Sequence, residues 1–372
     1  VPDIDRFPYT NLPPNRYWRN AIAELAREDR DAQPGGKFKV DRSTVIGSGG
    51  SCFAQRIADR LRKDGFTYLV TEPGPRWLDD DQRTRFDYGR YTARYGNVYT
   101  TLQMLQLLER ALGEFVPIES AWVRDAGGYV DPFRPTVQPE GFASIAELEA
   151  DRRQHLAQTL KAFEETEVFI FTLGLTELWC DVRDGTAYPV CPGRGTGSFD
   201  ASLYKFRNLT VAENVDLLTQ FIEKIRSVNP AIKILLTVSP VPLIATYSED
   251  HVLRATSYSK AVLLAAAREV EQRYDFVDYF AAYELLWSPI MQLESFADDG
   301  RTINSSGVEH VMRSFYRHYT EEGSVAGLPR PPIAAQIAQG AVLDVDDVFR
   351  TCDDEAIMQA LAKEAVLGGE TY

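Results

Sequence analysis

Apolar positions along the chain fall into two alternating kinds of run. Short, nearly continuous ones at 43–47, 68–70, 168–173, 233–238 and 276–279 read as buried strands. A strand covered on both faces loses the in-out alternation of a half-exposed one. Longer stretches repeat apolar residues every three or four positions, as amphipathic helices do. Leu102, Leu105, Leu108 and Leu112 mark one over 99–112; Ile57, Ala58 and Leu61 mark another over 54–64, with a stop at Gly65. Further helices are predicted at 17–28, 145–165, 212–227, 257–274 and 307–319. Strands alternating with helices predict βαβ units and a mostly parallel sheet covered on both faces. The expected fold class is therefore α/β, a three-layer sandwich of flavodoxin-like type.

Two stretches, 113–141 and 181–209, break this rhythm with dense Pro and Gly. Loops longer than about 12–15 residues in a compact domain are usually functional or disordered. Both are expected as surface insertions that cover or rim a cleft at the carboxyl edge of the sheet. After Gly327 the composition changes again: Leu328-Pro329-Arg330-Pro331-Pro332 reads as a linker, followed by an acidic tail with one short helix at 355–367. The predicted organisation is one domain over 1–325 and a linker and tail over 326–372, with no internal repeat.

Composition narrows the function classes. Of 372 residues, 44% are apolar and 25% charged, as in a folded globular protein. A net charge of −14 argues against a nucleic-acid partner, which needs clustered Lys and Arg. No apolar run approaches the roughly 18 residues of a membrane span, so no membrane partner is expected. The polar, Pro-punctuated residues 1–8 do not read as a signal peptide. Cysteines at 52, 180, 191 and 352 show no zinc-site spacing and are expected as reduced thiols; the expectation is a cytoplasmic protein with no metal. The oligomeric state is not legible.

Candidate chemistry sits at Val45-Ile46-Gly47-Ser48-Gly49-Gly50-Ser51-Cys52-Phe53-Ala54, a strand, a glycine turn and a helix start. In open parallel sheets ligands bind outside the carboxyl ends of the strands. A serine there lies at a helix N-terminus, where free N–H groups favour a developing oxyanion. Ser51 is therefore a nucleophile or a simple N-cap, a role Ser also fills well. A dinucleotide loop is a rival reading: Gly47-x-Gly49 follows a strand, and Glu72 lies at the ribose-acid spacing. Position 52, however, is Cys where the third glycine belongs.

Gly50-Ser51-Cys52-Phe53-Ala54 resembles the signature of the GSCFA-domain proteins, a bacterial branch of the SGNH/GDSL hydrolase superfamily. The resemblance extends to Pro8-Tyr9-Thr10-Asn11-Leu12-Pro13, to Arg94-Tyr95-Gly96-Asn97-Val98-Tyr99-Thr100, to Thr172-Leu173-Gly174-Leu175-Thr176-Glu177-Leu178-Trp179 and to Val238-Ser239-Pro240-Val241. It implies that Ser51 is the nucleophile and that Gly96 or Asn97 and the Gly174–Glu177 turn supply oxyanion donors. Thr176 stands where SGNH enzymes carry an asparagine donor. Near the last helix these enzymes carry Asp-x-x-His; counted from Asp299, the histidine position here is Thr302, which cannot accept a proton at neutral pH. Of the four histidines, 155, 310 and 318 fall inside predicted helices, whereas His251 falls on a loop after the strand ending at Ser239-Pro240. His251 is the favoured general base, with Asp299 or Glu177 as carboxylate alternatives. The implied activity is an esterase or O-acyltransferase on a small-molecule or glycan substrate, needing no cofactor beyond an acyl-CoA donor if it is a transferase. The competing reading is a ligand-binding SGNH scaffold that has lost hydrolysis.

Overall fold

The computed structural model describes residues 9, 12–26, 29–193, 196–288 and 295–321; the predicted tail and its helix lie outside them. Among these residues nine strands follow one another: β1 (Ile46–Gly50), β2 (Trp122–Val123), β3 (Tyr129–Val130), β4 (Val168–Leu173), β5 (Glu177–Asp181), β6 (Ala187–Tyr188), β7 (Tyr204–Asn208), β8 (Lys233–Val238) and β9 (Val277–Phe280). Eight α-helices accompany them: α1 (Cys52–Lys63), α2 (Asp80–Arg85), α3 (Thr101–Leu112), α4 (Ile145–Glu165), α5 (Val211–Val228), α6 (Val252–Glu271), α7 (Ala282–Trp287) and α8 (Ser305–Tyr319). β1, β4, β8 and β9 pair in that order, all parallel, and Tyr68 adds a single parallel bridge outside Ile46.

Because the strands are parallel, each side chain of β4 and β8 faces a helical layer. Phe169, Phe171, Leu173, Ile234, Leu236 and Val238 point to one face, where they pack on α3–α6 through residues such as Leu108, Phe163, Phe221 and Leu263. Ile46, Val168, Ile170 and Leu235 point to the other, against Phe53, Ile57 and Leu61 of α1 and Phe315 and Tyr319 of α8. Each such apolar side chain, fully buried, contributes about 1.5–3 kcal/mol. The expected three-layer α/β sandwich is what the chain forms.

Several predicted elements move. The first strand lies at Ile46–Gly50 instead of 43–47, so the glycines belong to the strand itself. The predicted helix at 17–28 is replaced by a 3-10 turn at Pro14–Arg16 and a π-turn at Arg19–Ala23. The 68–70 strand shrinks to the Tyr68 bridge. The two insertions are partly ordered: β2 and β3 form a hairpin, and β5–β7 form a small antiparallel sheet in the order β6-β5-β7. They join through the Arg124–Thr196 bridge and a cluster of Trp122, Tyr188 and Tyr204. Since β5 starts four residues after β4 ends, this unit rises from the carboxyl edge of the main sheet. Among the described residues Cys52, Cys180 and Cys191 are not joined in disulfides.

Candidate active site

β1 ends against β4 in a way only glycine permits. Gly50 has φ +138°, and a Cβ there would stand 2.2 Å from the Thr172 carbonyl oxygen. The chain then turns into α1 with Ser51 as its N-cap; the Ser51 amide donates to the Thr172 carbonyl at 3.2 Å. Ser51 is only 3% exposed, yet its side chain does not cap the helix and its Oγ has no hydrogen-bond partner. Simple capping is therefore not its role.

Two further turns meet Ser51 at this edge. The Val98 amide donates to the Gly50 carbonyl at 2.9 Å, which ties the Gly96–Asn97 turn to β1. The Tyr99 carbonyl accepts from the Gly174 and Leu175 amides, each at 3.0 Å. A Cβ on Gly174 would lie 3.1 Å from the Ser51 Cβ and 2.9 Å from the Tyr99 carbonyl oxygen, so a side chain there would crowd the serine. Gly96 holds φ +69° with open space where a Cβ would stand. Asn97 is buried, and its Oδ1 accepts from Tyr91 Oη and from Gln55 Nε2 of α1.

The Gly174–Glu177 turn lies beside Ser51, but its donors are engaged. Besides the two amides on Tyr99, the Thr176 amide donates to Ser259 Oγ at 3.0 Å, and its hydroxyl donates to Asn208 Oδ1 at 2.6 Å. Glu177 accepts from the Thr246 hydroxyl at 2.6 Å; burial pushes its carboxyl up while that bond pulls it down, with a net rise.

His251 and Asp299, expected as the base or its alternative, are engaged with other partners. His251 is the exposed N-cap of α6, and its Nδ1 accepts from the Leu253 amide at 3.2 Å. Asp299 accepts from the Thr302 hydroxyl at 2.6 Å and from the Arg301 and Thr302 amides at 2.8 Å each. Burial alone would raise the Asp299 carboxyl, but these bonds hold it below the usual range. The turn is thus closed on itself, although Arg301 Nε reaches the Pro242 carbonyl beyond β8 at 3.2 Å. His155 pairs with Glu72 at 2.8 Å and His318 with Asp31 at 2.9 Å, while His310 is buried in α8. Glu72 also accepts from the Arg94 amide, and Gly47 and Gly49 lie inside β1, so the dinucleotide reading has neither its turn nor a free acid.

A residue without a signal of its own in the sequence reaches the turn beside Ser51. Lys260, on α6, is 1% exposed and donates from Nζ to the Gly174 carbonyl at 2.6 Å. Burial pushes its ammonium down to about 7, the field of Cys52 opposing and that of Arg301 assisting. At a 1.5 Å rise per residue, His251 lies about 13 Å further up the same helix. The available signal was periodicity: Thr256, Lys260, Leu263 and Ala267 share one helical face, and two of them are residues that bury readily. Among the described residues no cluster of His, Cys, Asp and Glu could hold a metal, and no helix is long and apolar enough to cross a membrane.

A family model, that of the GSCFA family, matches residues 45–315. The chain belongs to the GSCFA family. That bears out the resemblance drawn from Gly50-Ser51-Cys52-Phe53-Ala54, and the matched span runs from β1 into α8. No curated protein matches this GSCFA chain. Solved structures similar to it include a Streptococcus pneumonia protein provisionally described as a platelet activating factor (14% identity, TM-score 0.26, 42% of this chain and 64% of that one). Others are a Corynascus thermopiles carbohydrate esterase family 2 enzyme with its carbohydrate binding domain (12%, 0.26, 77% and 68%) and the acetyl xylan esterase Est2A of the rumen bacterium Butyrivibrio proteoclasticus (12%, 0.24, 65% and 56%). The GSCFA chain thus spans less than two thirds of the first and third of these. Likeness at such scores carries no argument, and the fold assignment rests on the sheet and its helices.

Proposed function

We propose that this GSCFA protein is a serine-dependent esterase or O-acyltransferase that uses Ser51 on a small acylated substrate or glycan. The observation that carries the reading is the Ser51 hydroxyl, buried at a helix N-terminus and bonded to nothing. A buried hydroxyl without a partner is unfavourable by roughly 1–3 kcal/mol. Such an arrangement is expected where the missing partner arrives with the substrate.

In this reading Ser51 Oγ attacks the ester carbonyl carbon while Lys260, in its neutral form, takes the hydroxyl proton. Its fall to about 7 leaves a large neutral fraction at physiological pH. The oxyanion is received by first-turn amides of α1 and the Gly96 amide. The C–O bond to the alcohol then breaks, Lys260 returns the proton to the leaving oxygen, and an acyl-serine remains. Water completes an esterase cycle; a sugar hydroxyl completes a transfer. No cofactor is needed, apart from an acyl-CoA thioester if that is the donor. The test is turnover of a panel of p-nitrophenyl and sugar-acetate esters by wild type, Ser51→Ala and Lys260→Met. Activity lost in both variants supports the proposal; full activity in Ser51→Ala overturns it.

A second reading, a ligand-binding scaffold without hydrolysis, is favoured by the Asp299–Thr302 turn, which is closed on itself and carries no histidine. Absence of turnover across the panel, together with ligand-induced stabilisation, would select it.

A further inference from the structure

Behind the Asn97–Val98 turn lies a cavity of about 30 Å³, room for a group of a few heavy atoms, lined in part by Gln103, Arg110, Arg134 and His155. Two of its walls are guanidinium groups taken out of water: Arg110 is 7% exposed and Arg134 2%. Each has a buried nitrogen, Nη2 of Arg110 and Nη1 of Arg134, with no hydrogen-bond acceptor in the structure. Their situations otherwise differ. Arg134 is anchored by Asp131 at 2.8 Å and Asp151 at 2.7 Å. Among the described residues Arg110 is in no ion pair, and its guanidinium lies 3.6 Å from the centre of the Phe133 ring.

Of the guanidiniums around this cavity, Arg110 is the one that no carboxylate pairs with among the described residues. Arg94 and Arg152 complete the group, bonded to Asp151 and Asp131 at 2.9 Å each, and Glu72 is the third carboxylate. Burial takes His155 down to about 4, so it is neutral at physiological pH. Through Tyr188 the network continues to Arg183, Glu119 and Asp181, so the unpaired charge is that of the Arg110 guanidinium and not of the group as a whole. A buried unpaired charge is unfavourable unless something pairs with it, and a guanidinium fork matches a carboxylate's two oxygens.

We propose that Arg110 and Arg134 hold a monovalent, carboxylate-sized anion in this cavity. The anion would supply acceptors for both orphaned nitrogens and a partner for the Arg110 charge. Gln103 and Gln106, which also line the cavity, already give their carbonyl oxygens to the Tyr99, Thr100 and Ala187 amides. The anion could be a free small acid or the carboxylate of a larger substrate, since one wall is the turn bonded to Gly50. The site does not depend on Ser51 being a nucleophile.

The experiment is equilibrium binding to the full chain. [¹³C]acetate is titrated and followed by NMR line broadening and by calorimetry, and thermal melting is followed in acetate, butyrate and the monoester of succinate. Wild type is expected to bind acetate saturably and to melt several degrees higher when saturated. Arg110→Gln should lose both effects; Arg153→Gln, an exposed arginine on α4, should keep them. Binding of acetate alone assigns a free small anion, and binding of the larger carboxylates assigns a substrate group. Where Arg110→Gln fails to fold, the wild-type titration and Arg110→Lys, which keeps the charge but not the fork, decide: weakened but measurable binding is expected. Absence of saturable binding to wild type, or undiminished binding in Arg110→Gln, overturns the site.

Discussion

Helices α1 and α3 both begin beside the Gly174 turn, and both begin with a hydroxyl residue. At α3, Thr100 does what an N-cap hydroxyl ordinarily does: it accepts from the Gln103 amide, and Gln103 reaches back in a capping box. At α1, Ser51 takes the same extended N-cap conformation and leaves its hydroxyl unbonded. Side chains also cap α2, α4, α5, α6 and α8, so among the described residues Ser51 is the one polar N-cap that withholds its oxygen. A stability role and a chemical role, indistinguishable in the sequence, are separated by where one oxygen points.

The largest effect that could break this comparison is on activity. Ser51→Ala should lower ester turnover by at least about a thousandfold, as loss of a nucleophile does, while Thr100→Ala should stay within a few-fold of wild type per folded molecule. Next is Lys260→Met, expected to lower kcat/KM by roughly a hundredfold or more. In wild type kcat/KM should rise with pH through about 7 as Lys260 loses its proton, and in the variant that limb should vanish.

Lys260 also makes a prediction about stability. Its folded pKa is about 7 and an unfolded lysine titrates near 10.4, so between these values the unfolded chain holds the extra proton. The stability contribution of a depressed group is present above the unfolded value and lost as pH falls through the folded one. Chemical denaturation of wild type should therefore show stability rising from about pH 7 towards 10 relative to Lys260→Met. Parallel curves for the two proteins would mean that the ammonium is not buried as described.

A smaller effect is expected at the caps. Thr100→Ala should lose about 1 kcal/mol of stability by denaturant titration, whereas Ser51→Ala should gain stability, by up to about 1–3 kcal/mol, since it removes a buried hydroxyl that has no partner. Least of all, His251→Ala should cost only a modest cap and leave turnover within about twofold, because its ring faces the Leu253 amide at the outer end of α6.

What the sequence made legible follows the same division. Strands β4 and β8 and helix α4 stand at the residues where continuous apolar runs and a three-to-four spacing put them. β1 was displaced because Gly47, Gly49 and Gly50 have turn propensity, and only pairing with β4 makes a strand of them. The segment before it has one apolar-looking periodicity but no buried face, and it forms only short turns. Ser51, Gly96 and Gly174 were readable as motif and turn residues. Lys260 was not, because a lysine on a helix ordinarily reads as surface and its partner, the Gly174 carbonyl, is 86 residues distant in the chain. His251 attracted notice by lying on a loop, a feature that says which edge a residue occupies and not how far it is from the serine.

The central claim, that Ser51 is held as a nucleophile, is tested most directly by covalent labelling. Wild type and Ser51→Ala would be treated with a fluorophosphonate and analysed by peptide mass spectrometry. The account predicts a single adduct on the peptide containing Ser51, formed faster above pH 7 than below it and missing from Ser51→Ala. No adduct under conditions that label a known serine hydrolase to completion, or the same labelling in Ser51→Ala, would contradict it.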